Sequence, residues 1–190
     1  ALTQTLERNF SEIARGKQLD FNISIDKEAP SDIETDAQRV QQILTNLLAN
    51  AFKFTEKGGI SVNITSASKE ELLNTGFVCE DAVCFCVEDT GIGIAADKQE
   101  IIFEAFMQSD GTTSRKFGGT GLGLSISTEL ARLLGGKIHL SSEEGKGSSF
   151  TLLLPTKFNA STVEEQLEQS GHHMLEEVAV ALDEADREEQ

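Results

Sequence analysis

Asn46, Asn50 and Lys53 recur every three or four residues within an apolar stretch that runs from Asp36 to Phe54. At about 100° per residue, Val40, Leu44, Leu47, Ala51 and Phe54 form one apolar face, while Arg39, Gln42, Asn46, Asn50 and Lys53 share a polar arc of roughly 80°. Asn is a poor helix former, so two in line ask for a reason. An amide oxygen suits a hard cation such as Mg²⁺, which bridges protein oxygens to phosphate, and Lys53 would add a point charge one turn on. Amides that simply cap a neighbouring loop would give the same pattern.

A second candidate is Asp89. Val83, Phe85, Val87 and Asp89 alternate along one face of a strand, so the carboxylate continues a buried side and needs donors, from backbone N–H groups or a ligand's amino group. Thr90, Gly91, Ile92, Gly93 and Ile94 come next as a glycine-spaced turn that lets backbone approach a flat ligand, or simply ends the strand. A third candidate is the run Gly118, Gly119, Thr120, Gly121, Leu122, Gly123, Leu124. It opens a helix, and such a loop can aim several N–H groups at phosphate with the helix dipole behind them. No Lys follows its last glycine, so it is not a Walker A loop. Between Glu104 and Gly118 lies a Ser/Thr/Gly-rich stretch with the composition of a lid; its Arg115 and Lys116 read as phosphate contacts or as a solvated pair. The run Gly91-x-Gly93-x-x-Ala96 formally fits a dinucleotide fingerprint, yet no strand ending in an acid occurs at the right distance after it.

These groups require a frame. Leu2, Leu6, Phe10 and Ile13 predict a short amphipathic helix ended by Gly16. Phe21, Ile23 and Ile25, then Ile60, Val62 and Ile64, alternate with polar residues as strands with one buried face. Val83–Asp89 and Phe150–Leu154 are apolar enough for central strands. Helices are expected over Asp36–Phe54 and Leu122–Leu134, the second closed by Gly135 and Gly136. The order predicts one α/β sandwich, a sheet covered on one face by helices.

The chain has 190 residues, 38% hydrophobic, enough for one domain and an appendage. Its net charge is −16, which argues against nucleic acid or an anionic membrane as partner. Residues 159–190 hold ten of the 32 acidic but one of the 16 basic residues, with Val163, Leu167, Met174, Val178 and Leu182 at helix-like spacing. That segment reads as a linker or partner-seeking helix, or as a solvated tail. No apolar run is long enough to span a bilayer and no export signal opens the chain, so a cytoplasmic location with reduced Cys79, Cys84 and Cys86 is expected. Cys84 and Cys86 sit in an apolar run suited to a buried strand, and with only His139, His172 and His173 as further ligands no structural metal is expected. The absence of an initiating Met suggests a piece of something longer.

The order of these features closely resembles the catalytic, ATP-binding domain of two-component sensor histidine kinases, within the GHKL ATPase superfamily, over about residues 18–155. Asp36-x-x-Arg39-x-x-Gln42-Ile43-Leu44-x-Asn46-Leu47-Leu48-x-Asn50-Ala51-x-Lys53-Phe54-Thr55 resembles that family's N box and Asp89-x-Gly91-x-Gly93-Ile94 its G1 box. Ile102-Phe103-Glu104-x-Phe106 resembles the F box, Gly119-Thr120-Gly121-Leu122-Gly123-Leu124 the G2 box, and Gly145-x-Gly147-x-x-Phe150-Thr151 the closing strand pair.

The resemblance implies the Bergerat two-layer α/β sandwich, with a mixed sheet, over residues 17–158, flanked by a connecting-helix remnant (1–16) and the acidic tail (159–190). It implies ATP and Mg²⁺ as cofactors: Asn50 on the metal, Asn46 and Lys53 supporting metal and phosphates, and Asp89 accepting from the adenine amino group. Gly91, Gly93 and Ile94 would shape the adenine pocket, and Thr151 would lie near adenine. Gly119, Thr120, Gly121, Leu122 and Gly123 would flank the phosphates. Phe103 and Phe106 would anchor the lid, and Arg115 and Lys116 would reach over from it. Hydrolytic members of the superfamily place a Glu base where this chain has Asn46, which cannot take a proton near neutral pH. Transfer to a neutral imidazole therefore fits better than attack by water. The implied partners are a His-bearing dimerisation hairpin, for which none of the three histidines here is a counterpart, and a response regulator receiver domain. A Ser/Thr kinase of the anti-sigma type and a nucleotide-sensing module without turnover are the alternatives.

Overall fold

The computed structural model describes residues 2–99, 102 and 122–157. The chain divides into Ala1–Phe158 and Asn159–Gln190, and the second unit lies outside the described residues. In chain order the elements are α1 (Leu2–Lys17), β1 (Asp20–Ile25), α2 (Ala37–Phe54), β2 (Gly59–Ser66), α3 (Lys69–Thr75), β3 (Ala82–Asp89), α4 (Leu122–Leu133), β4 (Lys137–Glu143) and β5 (Gly147–Pro155).

The strands form one mixed sheet in the order β1-β2-β3-β5-β4. β1 and β2 are parallel, which demands a crossover, and α2 supplies it; the other neighbours are antiparallel. The expected central strands, β3 and β5, are both interior. Pairing sets Ile60 opposite Asp89, Val62 opposite Val87 and Phe150 opposite Val87, so one face carries Ile60, Val62, Ile64, Val83, Phe85, Val87, Phe150, Leu152 and Leu154. Those side chains share a core with Leu6, Phe10 and Ala14 of α1, seven residues of α2, and Leu124 and Ala131 of α4. Phe10 stacks on Phe52 at 5.4 Å, with Phe21 edge-on to Phe52 at 5.5 Å, which closes the core between α1, α2 and β1. The other face bears a smaller apolar cluster of Phe77, Ala82, Cys84 and Leu153.

Several details depart from the sequence reading. The first helix runs through Gly16 to Lys17, and Gln18 takes the left-handed conformation (φ 56°). Leu19 N–H then bonds Ala14 O at 2.9 Å and Gln18 N–H bonds Arg15 O at 3.2 Å, a Schellman closure with a non-glycine at its left-handed position. Ile13 is half-exposed and Ala14 takes its place in the core. Ile25 is 60% exposed because β1 is an edge strand, and Phe54 is half-exposed with Lys53 over its ring at 5.3 Å. α3 was not expected, although Ser68 and Glu71 form a capping box and Gly76 closes the helix at φ 64°. The helix at 122 ends as its glycines predict: Gly135 (φ 71°) N–H bonds Arg132 O and Gly136 N–H bonds Ala131 O.

The three cysteines are free, Cys84 buried and the others half-buried; burial, with Glu71 and Cys86 nearby, pushes the Cys84 thiol up to about 12. Among the described residues no helix is long and apolar enough to cross a membrane, and no group of three or more His, Cys, Asp and Glu is placed to hold a metal ion.

Candidate functional site

α2 begins where Asp36, the first residue of the first motif, caps it: its side chain accepts from Gln38 N–H at 3.0 Å and Arg39 N–H at 3.2 Å. With that start fixed, the helical period sets Asn46 and Asn50 half-buried along one edge of α2 and leaves Lys53 exposed in its last turn. Asn46 turns its amide nitrogen to α4, donating to Ser127 Oγ at 3.3 Å and to Gly123 O at 3.4 Å. Its amide therefore bridges to the helix that comes after the second glycine loop: its nitrogen caps that helix, and its oxygen has no hydrogen-bond partner among the described residues. The Asn50 side chain makes no hydrogen bond with any described residue.

Asp89 ends β3 on the helix-covered face, half-buried, as the alternation requires. Burial pushes its carboxyl above the ordinary carboxylate range, while the N–H groups of Gly91 and Ser148 and the nearby Thr55 hydroxyl pull it back. Gly91 N–H donates to Asp89 Oδ1 at 2.8 Å. Thr55 is fully buried, and its hydroxyl sits close enough to favour the ionised carboxylate without completing a hydrogen bond to it. A carboxylate with one oxygen satisfied by backbone, beside an unsatisfied buried hydroxyl, is built to receive a donor.

The turn after Asp89 is clamped from two sides. Thr90 Oγ1 accepts from Gly59 N–H at 3.0 Å and donates to Lys57 O at 3.2 Å, fixing the turn to the loop between α2 and β2. Ile94 N–H donates to Ser142 Oγ at 2.8 Å, Gln99 Nε2 donates to Ile94 O at 2.7 Å, and Gly145 N–H bonds Ile92 O at 2.7 Å. The glycines serve this packing rather than only ligand approach. A Cβ on Gly93 (φ 64°) would strike the backbone of Glu143, and one on Gly91 would lie 2.5 Å from Phe54 O and 2.8 Å from Asp89 Oδ1. Gly123 differs: no described residue lies within 4 Å of a built Cβ, so packing against the described residues does not demand a glycine there.

Thr151 requires a correction. It pairs with Cys86 on the opposite face of the sheet and donates to Cys86 Sγ at 3.5 Å, away from Asp89; strand alternation puts Ser148 on Asp89's face instead. His139 pairs with Thr151 in β4 and shares that far face. Leu122 and Gly123 begin α4, whereas Phe103, Glu104, Phe106, Arg115, Lys116, Gly118, Gly119, Thr120 and Gly121, like His172 and His173, lie outside the described residues. The supporting hydroxyls of Thr55, Thr90, Ser127 and Ser142 were not singled out from sequence. A buried Ser or Thr gives no periodic signal, and only the Thr that ends the first motif was within reach of such reading.

The sheet order, the covering helices and the pairing of an amide-bearing helix with a strand-end carboxylate define a nucleotide-binding ATPase domain of the Bergerat type. Residues 35–157 match the model of the histidine kinase-, DNA gyrase B- and HSP90-like ATPase family, and the chain belongs to that family. It is 38% identical over 151 residues to hybrid signal transduction histidine kinase A of Dictyostelium discoideum, across 75% of this chain and 7% of that protein. Among solved structures it resembles full-length ShkA in complex with AMPPNP (TM-score 0.65, 32% identity, 85% of this chain, 30% of that one). It also resembles the catalytic domain of histidine kinase ThkA (TM-score 0.60, 29% identity, 82% of this chain, 92% of that one). The chain spans only 7–17% of the length of the curated relatives that it matches first.

Proposed function

We propose that this chain is the catalytic module of a cytoplasmic histidine kinase, which binds Mg-ATP and passes the γ-phosphoryl group to a histidine on a separate dimerisation hairpin, for relay to a receiver aspartate. The observation that carries the reading is the half-buried Asp89, raised by desolvation, with Gly91 N–H on one oxygen and the orphaned Thr55 hydroxyl beside it. Such a site matches the exocyclic amine of adenine, which donates to the carboxylate. The Asn50 amide, unpartnered among the described residues, the outward oxygen of Asn46 and a Gly123 whose Cβ position no described residue approaches fit phosphates and a hard cation on the same side of the fold. Asn50 would hold Mg²⁺, which when bound neutralises phosphate charge, with Asn46 and Lys53 in support. Gly119–Gly123, Arg115 and Lys116 are proposed to flank the phosphates.

Asn46 favours a histidine acceptor over water. An amide whose nitrogen is committed to α4 has no proton-accepting capacity near neutral pH, so water is not activated there. A neutral imidazole brings its own lone pair: an N–P bond forms, the bond from the γ-phosphorus to its bridging oxygen breaks, and that electron pair leaves with ADP. With γ-labelled ATP and a separate His-bearing hairpin domain, acid-labile label is expected on the hairpin, and Asn50→Ala is expected to abolish both transfer and the Mg²⁺ dependence of ATP binding. Acid-stable label would instead indicate a Ser/Thr kinase, and label on this chain itself would place the acceptor within it.

A further inference from the structure

We propose that Ser127 is a positioning residue for the phosphate end of the site, a role that rests on the reading of this chain as a nucleotide-binding domain. Ser127 is fully buried one turn into α4. Its hydroxyl donates to Gly123 O at 2.8 Å, which uses its only proton, and the remaining lone pairs accept from Asn46 Nδ2 at 3.3 Å. The same amide nitrogen reaches Gly123 O at 3.4 Å. A backbone carbonyl can only accept, so the nitrogen end of the Asn46 amide faces α4 and its oxygen end faces away. One hydroxyl thus fixes both the rotation of Asn46 and the carbonyl of Gly123, two groups 77 residues apart in sequence.

The consequence is specific to phosphate. Gly123 closes the second glycine loop, and Asn46 stands one turn before the amide proposed to hold the metal. Ser127 locks these two halves into one frame while hydrogen-bonding neither to Asp89 nor to any described residue of the turn after it. Truncation to Ala nearly preserves the volume but leaves Asn46 a single long hydrogen bond, so the amide oxygen is no longer oriented.

The test uses this 190-residue chain and two probes, Mg-AMPPNP by calorimetry and adenosine by NMR titration, on wild type, Ser127→Ala, Asn46→Ala and the double variant. Ser127→Ala is expected to weaken Mg-AMPPNP about three- to tenfold and leave adenosine unchanged. The double variant is expected to bind no more weakly than Asn46→Ala alone, since the second loss removes an interaction already gone. Additive losses, or equal losses for adenosine and the analogue, would overturn the positioning role. A wild-type chain that binds neither probe would overturn the nucleotide site itself, and the role with it. Thermal melts of the ligand-free variants separate folding from binding. Should Ser127→Ala not fold, Ser127→Cys, which packs similarly and weakens both hydrogen bonds, carries the same comparison.

Discussion

Asp89 is held at some expense to folding, and its titration makes that measurable. Desolvation raises its folded pKa above the ordinary value of 3.8, so the fold binds its proton more tightly than the unfolded chain does. Stability is therefore lost as pH rises through the window between those two values, because the charged form is the disfavoured one. Asp89→Asn keeps an acceptor for Gly91 N–H and removes the charge. It is expected to melt slightly above wild type at neutral pH, with the difference vanishing as pH falls through the raised pKa; a constant difference would dismiss desolvation as the cause. The effect is small since the carboxyl remains partly wet. The same variant is expected to weaken adenine nucleotide binding on the order of tenfold by calorimetry, because the donor meets a neutral acceptor. Strand alternation made Asp89 legible in the sequence, and the same rule, applied to β5, places Thr151 on the face opposite Asp89.

Closures at the ends of elements explain where helices stop and how the site's turn is held. Gly76 and Gly135 adopt the left-handed conformation their closures require, whereas α1 makes the same closure with Gln18. Gln18→Gly is expected to raise stability by up to about 1 kcal/mol, seen as a higher Tm in thermal denaturation, since relief of the left-handed clash outweighs the added freedom of the unfolded chain. Gly147 is the opposite case. At φ 122° its missing Cβ lets the backbone lie against Asp89 O, so β5 can pair with the very end of β3. Gly147→Ala is expected to cost more than about 2 kcal/mol and to weaken adenosine binding as well, because the strand carrying Ser148 must move off Asp89. Retained adenosine affinity in that variant would separate the β5 turn from the pocket.

At the scale of the whole molecule, the mixed sheet gathers groups that are distant in sequence onto one side. The parallel step from β1 to β2 forces α2 across the helix-covered face, and the neighbouring β3 then brings Asp89 beside the end of α2. Residues 1–158 form a compact unit of their own, whose described core draws on residues from Leu2 to Leu154. Deletion of residues 159–190 is therefore expected to leave the Tm within about 2 °C and Mg-AMPPNP affinity unchanged, measured by melting and calorimetry. A lower Tm would make the acidic segment part of the fold.

Local periodicity in the sequence alone determined four of the five strands and the main helices, the amide edge of α2, the strand-end carboxylate, and the family through its ordered motifs. Helical and strand repeats act through neighbours a few residues apart, so they survive in one dimension. Tertiary structure alone decided that Asn46 joins α4 through Ser127, that Gly93 and Gly147 make room for neighbouring backbone, and that Thr55 rather than Thr151 lies at Asp89. Each of these depends on strand register and helix placement across dozens of residues, where contacts between single side chains leave no periodic trace.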